Sequence, residues 1–307
     1  MVNVFKSEAG QQQVITSYDR LLKRWPVAIQ EVDIDTSYGT THCIVAGNPG
    51  NPPLILLHGV GDNSAVMWAL NIEALAAHFY CIAVDTLGGP GKSRPNEHFH
   101  KKTFRQLQWL EEVIAHFTAE KVYMAGVSNG AYMAYNYAAA NPGKVARVVC
   151  LEGGMVIKPF KAMLQTLLLM FPELLNPTEE NLLKVLKKMS HPDSGMLEEH
   201  PWVAEHLVLL MKHHNQQAMF VHQLKKYDHM QGLAARDKLY FLIADHRLKS
   251  KKDFMRIMQH GMYRYKIIPQ AGHGINHEQP ATINHEMLDF LLQDIEASNM
   301  ADSCRTS

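Results

Sequence analysis

Ser128 stands in Gly126-Val127-Ser128-Asn129-Gly130, between an apolar run (VYMAGV) and an alanine-rich stretch with a helical pattern. A strand that must turn sharply into a helix puts one residue in strained backbone geometry, and glycines two before and two after remove the side chains that would collide. The hydroxyl then stands clear of the sheet at a helix N-terminus, where the partial positive charge suits a developing anion. His273 lies in Ala271-Gly272-His273-Gly274, just after the last strand-like run, and its flanking glycines let a loop bring an imidazole close to another backbone. Of the 18 histidines it is set apart by that position; His42, His78, His191, His213, His222 and His260 read as surface or packing residues. His58-Gly59-Val60-Gly61 follows the run PLILL. The glycines there free backbone N–H groups, and those of Val60 and Asn129 could together hold an oxyanion, with His58 as a structural side chain. A nucleophile, a base and an oxyanion site make an acyl-transfer set.

The elements that must position these groups alternate. Glu31–Asp35 and Thr41–Ala46 read as a hairpin; Pro53–His58, Tyr80–Asp85, Lys121–Val127, Val145–Leu151, Leu239–Ala244 and Tyr263–Ile268 read as buried strands. Helical patterns fall at Trp68–His78, Thr103–Phe117, Asn129–Ala140, the stretch before His260, and Pro280–Leu292, with a polar tail from Gln293. Strand–helix alternation with apolar strands means α/β, a doubly wound, mostly parallel sheet. From Lys158 to about Lys226 the chain is helical, rich in Leu, Met, Lys and His, and broken at Pro172, Pro177, Pro192 and Pro201. The expected organisation is a core of residues 1–154 and 233–307 with a helical cap inserted at 155–232.

Composition excludes several classes. Lys+Arg and Asp+Glu are both 30, so the chain has no electrostatic footprint for nucleic acid or anionic lipid. Cys43, Cys81, Cys150 and Cys304 form no CxxC pair, so buried free thiols are expected rather than disulfides. No Cys/His spacing suggests a metal site, and no cofactor is expected. The opening MVNVFKSEAGQQQ lacks the apolar core of a signal peptide, and the uncharged run Ala162–Pro172 is too short to span a bilayer. A cytoplasmic protein acting on a small molecule is the expectation, with a homodimer left open.

The motifs resemble the α/β-hydrolase superfamily, in particular its capped bacterial carboxylesterases. LLHG at 56–59, Asp85-Thr86-Leu87-Gly88 followed by Gly91-Lys92-Ser93, GVSNG at 126–130 and AGH at 271–273 occur in that family's order. Trp25-Pro26-Val27 and Tyr38-Gly39-Thr40-Thr41-His42 add to the likeness, which covers roughly residues 25–292. The resemblance implies an eight-stranded sheet, a helical cap and a Ser–His–acid triad without cofactor. The acid departs from the pattern. Its usual place follows the strand LYFLIA, where this chain has Ala244-Asp245-His246-Arg247, with a cation at the acid's own position. Glu152, in Cys150-Leu151-Glu152, matches the acid position of some relatives, and Asp245 is the alternative. The expected activity is cleavage of a carboxylic ester of a small, largely apolar substrate through an acyl-enzyme on Ser128. Serine at 128 argues against dehalogenase and epoxide-hydrolase chemistry, which need a carboxylate nucleophile. A C–C bond hydrolase, a cofactor-free haloperoxidase and a non-catalytic binding protein of the same fold are the alternatives. Met163, Met170, Met189, Met196, Met211 and Met219 of the cap could form an adaptable apolar wall.

Overall fold

Runs such as PLILL and LYFLIA are apolar on both faces, so they need cover on both sides of a sheet. The computed structural model describes residues 2–160, 164, 168, 169 and 171–303, and it places these runs at the centre of one mixed sheet. Strands β1 (Ile29–Thr36) and β2 (Gly39–Ala46) form the antiparallel hairpin; β3 (Pro53–Leu57) and β4 (Tyr80–Val84) follow. A two-residue strand β5 (Arg94–Pro95) precedes β6 (Val122–Val127), β7 (Val145–Leu151), β8 (Leu239–Ala244) and β9 (Arg264–Ile268). The order is β1-β2-β4-β3-β6-β7-β8-β9, parallel from β4 onwards. These are the eight strands expected; β5, paired with the edge of β2, is a ninth.

Helix α1 (Glu8–Leu22) was not expected from the sequence. Ser7 caps it by accepting the Gly10 N–H, and Val14, Tyr18, Leu21 and Leu22 are buried. The helix expected at Trp68–His78 is instead two short ones, α2 (Ser64–Met67) and α3 (Ile72–Ala76). The break lets the Asn71 side chain donate to Asn284 and accept from Asn276. Helices α4 (Gln106–Phe117) and α5 (Asn129–Ala140) pack on one face. The cap contributes α6 (Glu179–Met189), α7 (Met196–Glu199) and α8 (Pro201–His213), then a 3₁₀ turn at Gln216–Val221. Helix α9 (His229–Ala235) runs across the expected 232/233 boundary, and its Gly232 abuts the hydroxyls of Tyr135 on α5 and of Tyr263. Then come α10 (Lys252–His260), α11 (Ile275–Glu278) and α12 (Pro280–Ser303). The last runs past Leu292, where a frayed tail was expected, and Ile295 still packs against the core.

Three histidines tie cap to core. His206 meets Ser17 at 2.8 Å and accepts from Asn63; His214 donates to the Gly88 carbonyl; His222 donates to the Leu87 carbonyl at 2.7 Å. Cys43, Cys81 and Cys150 are buried and free, while Cys304, Met163 and Met170 lie outside the described residues. Among the described residues no helix is long and apolar enough to cross a membrane.

Candidate active site

Ser128 sits at the C-terminal end of β6 with φ 55° and ψ −111°, a conformation that L residues rarely adopt. It survives because the chain must reverse within one residue. A Cβ on Gly126 would collide with Gly130, and one on Gly130 with the Leu57 carbonyl. The hydroxyl projects toward His273, whose Nε2 lies 3.2 Å from Ser128 Oγ. His273 reaches it from the loop between β9 and α11. That loop is fixed on three sides. Asp245 accepts the N–H groups of Gln270 and Ala271 at 3.0 and 3.3 Å. Glu278 accepts from Gly272, and the His273 N–H donates to the cap carbonyl of Met189 at 2.8 Å.

Glu152 follows β7 directly, also at positive φ (50°). Its neighbour Gly153 abuts the Ser128 carbonyl so closely that a Cβ would not fit, which keys the acid loop to the elbow. Glu152 Oε2 faces His273 Nδ1 at 3.5 Å, longer than a well-formed hydrogen bond. The carboxylate is 4% exposed. Burial is the largest influence on it and would raise its pKa. The neighbouring His273 imidazole and the Lys251 ammonium together outweigh burial and hold the carboxyl below its usual range. Lys251 Nζ lies 2.7 and 2.9 Å from the two oxygens, and the Ala244 N–H donates to Oε1 at 2.7 Å.

The turn after β3 completes the centre. His58 is buried; its Nδ1–H donates to the Gly59 carbonyl and its Nε2 accepts the Thr86 N–H, which fixes the tautomer and the turn. Burial pushes its pKa down, so it is a neutral strut. Val60 borders the same cavity as Ser128, and Asn129 opens α5, where the first N–H groups have no acceptor within the helix. Among the described residues no group of His, Cys, Asp or Glu could hold a metal ion.

A family model described as the alpha/beta hydrolase fold matches residues 52–200. The carboxylesterase YbfK of Bacillus subtilis is 33% identical over 136 residues, 44% of this chain and 45% of that protein. A second, an uncharacterized carboxylesterase named nap from the same organism, is 33% identical over 144 residues, 47% of each. The matched stretch thus spans about half the length of the curated relatives. The solved structure of naproxen esterase (carboxylesterase NP) from Bacillus subtilis superposes with a TM-score of 0.78 over 93% of this chain and 99% of that one, at 23% identity. The chain has the α/β-hydrolase fold.

In this hydrolase fold the residues singled out from the sequence divide cleanly. Ser128, His273 and Glu152 meet at the C-terminal ends of the strands; Asp245 does not join them, because both its oxygens are engaged with the backbone of the histidine loop. Arg247 is exposed, in the left-handed region, and contributes nothing to the centre. Above Ser128 lies a cavity of about 130 Å³, walled by Met189, Met196, Leu207, Leu210 and Met211 of the cap. Three of the six cap methionines thus form its wall; Met219 is buried elsewhere. A larger cleft of about 1390 Å³, lined by Tyr80, Lys121 and Arg147 among others, lies at the opposite, N-terminal ends of the strands, away from this chemistry.

Two groups escaped sequence reasoning. Asp62, in the turn after β3, borders the cavity; burial lifts its carboxyl to about 7, against the pull of His273. Its place directly after the glycine turn His58-Gly59-Val60-Gly61 was the only signal. Lys251 gave none: within Lys249-Ser250-Lys251-Lys252 it reads as a solvated surface lysine.

Proposed function

We propose that the protein is a serine carboxylesterase acting on small, largely apolar esters. The observation that carries this reading is the 3.2 Å approach of His273 Nε2 to a strained, protruding Ser128 hydroxyl, with the ionised Glu152 behind the imidazole. His273 takes the Ser128 proton as Oγ attacks the ester carbonyl, and Glu152 stabilises the imidazolium. The N–H groups of Val60 and Asn129 hold the tetrahedral oxyanion. His273 then protonates the leaving alcohol, and a water, activated by the same imidazole, releases the acyl group.

Two observations bear on the substrate. A cavity of about 130 Å³ compares with engineered apolar cavities of roughly 150 Å³ that hold one benzene molecule, so the buried part of the substrate is a short acyl or alcohol group. The apolar part of its lining is chiefly Leu and Met, which favours an apolar group there. The ester reading is preferred to C–C bond hydrolysis because the two relatives at 33% identity both carry the name carboxylesterase. The test is turnover of p-nitrophenyl acetate and butyrate. Activity abolished in Ser128→Ala supports the reading; equal activity in the variant removes it.

A further inference from the structure

The acid of the proposed centre comes from the end of β7, while the segment after β8, the acid's usual place in the proteins this chain resembles, sends a cation to the same spot. Lys251, at the junction of a 3₁₀ turn and α10, reaches back over the end of β8. Its ammonium contacts Glu152 Oε1 at 2.7 Å, Oε2 at 2.9 Å and the Ala244 carbonyl at 3.1 Å. The Ala244 N–H donates to the same Oε1 at 2.7 Å. Glu152 therefore has Oε1 fully engaged, and Oε2, shared with Lys251, is the oxygen that faces His273 Nδ1. No substrate atom need touch this lysine: it stands behind the acid, away from the cavity lining.

We propose that Lys251 is a positioning residue that fixes the Glu152 carboxylate toward His273 and sets the protonation of the Glu152–His273 pair. This rests on the esterase reading of Ser128, His273 and Glu152. A buried carboxylate with only a backbone N–H and an imidazole for company tends to take up a proton. A cation within 3 Å opposes that. Removing that cation would leave more negative charge beside the imidazole and favour its protonated form. The other ionisable groups around His273 are Asp62 in the turn after β3, His214 and His277 in the cavity wall, and Glu278 bonded to the histidine loop; His191 of the cap also meets Glu278. None of these contacts Lys251, so its replacement leaves them in place.

The experiment compares wild type, Lys251→Met and Lys251→Arg, with Lys251→Gln as a second neutral variant should the first not fold. The readouts are the pH profile of kcat/KM on p-nitrophenyl acetate and, independently of turnover, the His273 imidazole titration by NMR. In the neutral variant the acid limb and the imidazole midpoint should both move to higher pH by about one unit. Its plateau kcat should fall on the order of 10–10²-fold through a loosened acid, with KM little changed. Lys251→Arg should return both midpoints toward wild type. A folded neutral variant whose acid limb and imidazole midpoint coincide with wild type overturns the proposal, and loss of thermal stability alone would then mark the lysine as a structural ion pair. If wild-type turnover does not depend on Ser128, the esterase reading falls, and the NMR titration still judges Lys251.

Discussion

In the proposed mechanism Glu152 must stay ionised where water is scarce, and it is met by donors from Ala244 and Lys251, with the imidazole of His273 beside it. Glu152→Gln keeps the shape but cannot stabilise imidazolium; a related triad loses about 10⁴ in turnover by such a change. We expect a loss of that order in kcat with an unchanged far-UV spectrum. Asp245→Asn should leave kcat within about tenfold, yet lower stability by about 1–3 kcal/mol, because the N–H groups of Gln270 and Ala271 lose their carboxylate acceptor. A large kcat loss in Asp245→Asn alone would return the acid to the strand after which the resemblance placed it. Asp62 supplies a pH test. Its carboxyl titrates near 7 when folded and near 3.8 when not, so the folded state holds the proton longer and loses stability as pH rises from about 4 to 7. Asp62→Asn should therefore gain melting temperature over wild type at pH 8 more than at pH 5; equal gains at both would show that the carboxyl does not titrate there. The meeting of Ser128 with His273 was legible because glycine spacing marks a required backbone shape. Glu152 was preferred to Asp245 only through the resemblance, since a carboxylate after either strand suits the chain until its partners are seen.

The element that would couple acid to nucleophile in the proposed triad is the turn Leu151–Gly154, pressed against Ser128 through Gly153. Gly153→Ala would drive a methyl into the Ser128 carbonyl, so the turn must back away. We expect kcat to fall at least 10²-fold, as for a misplacement of about 1 Å, with KM changed far less. Wild-type kcat in that variant would mean that elbow and acid turn are independent. At this scale the sequence served well where one rule dominated. The observed α5, β7 and β8 coincide with the expected spans, because apolar strands bounded by turn residues leave little choice. It served poorly where side chains decided. The stripe Val14, Tyr18, Leu21 and Leu22 is helical in spacing, but its value depends on Tyr18 donating to Asp85, far away in the chain. The break between α2 and α3 depends likewise on Asn71 finding Asn276 and Asn284. Polar partners distant in sequence leave no periodic trace.

Across the whole molecule, buried neutral histidines hold the cap down. Burial pushes His206 to about 3 and His214 and His222 to about 4. The unfolded chain takes up these protons near pH 6.5 while the folded one does not, so stability is full above about 6.5 and is lost as pH falls toward 4. Asp62 acts in the opposite sense over part of that range, but three histidines outweigh one carboxyl. The urea midpoint should thus drop steadily between pH 7 and pH 4.5, and a flat midpoint would contradict the neutral-histidine account. The cap does more than cover the sheet: Met189 accepts the His273 N–H by its carbonyl and also lines the cavity, so the cap and the histidine loop are joined. The proposed mechanism stands on Ser128 as an activated nucleophile. Intact-protein mass spectrometry after treatment with a fluorophosphonate tests it most directly. One adduct per chain is expected, mapped to Ser128, formed in step with loss of esterase activity and absent in Ser128→Ala. Folded protein that takes up no adduct, or takes it up at another serine, would contradict it.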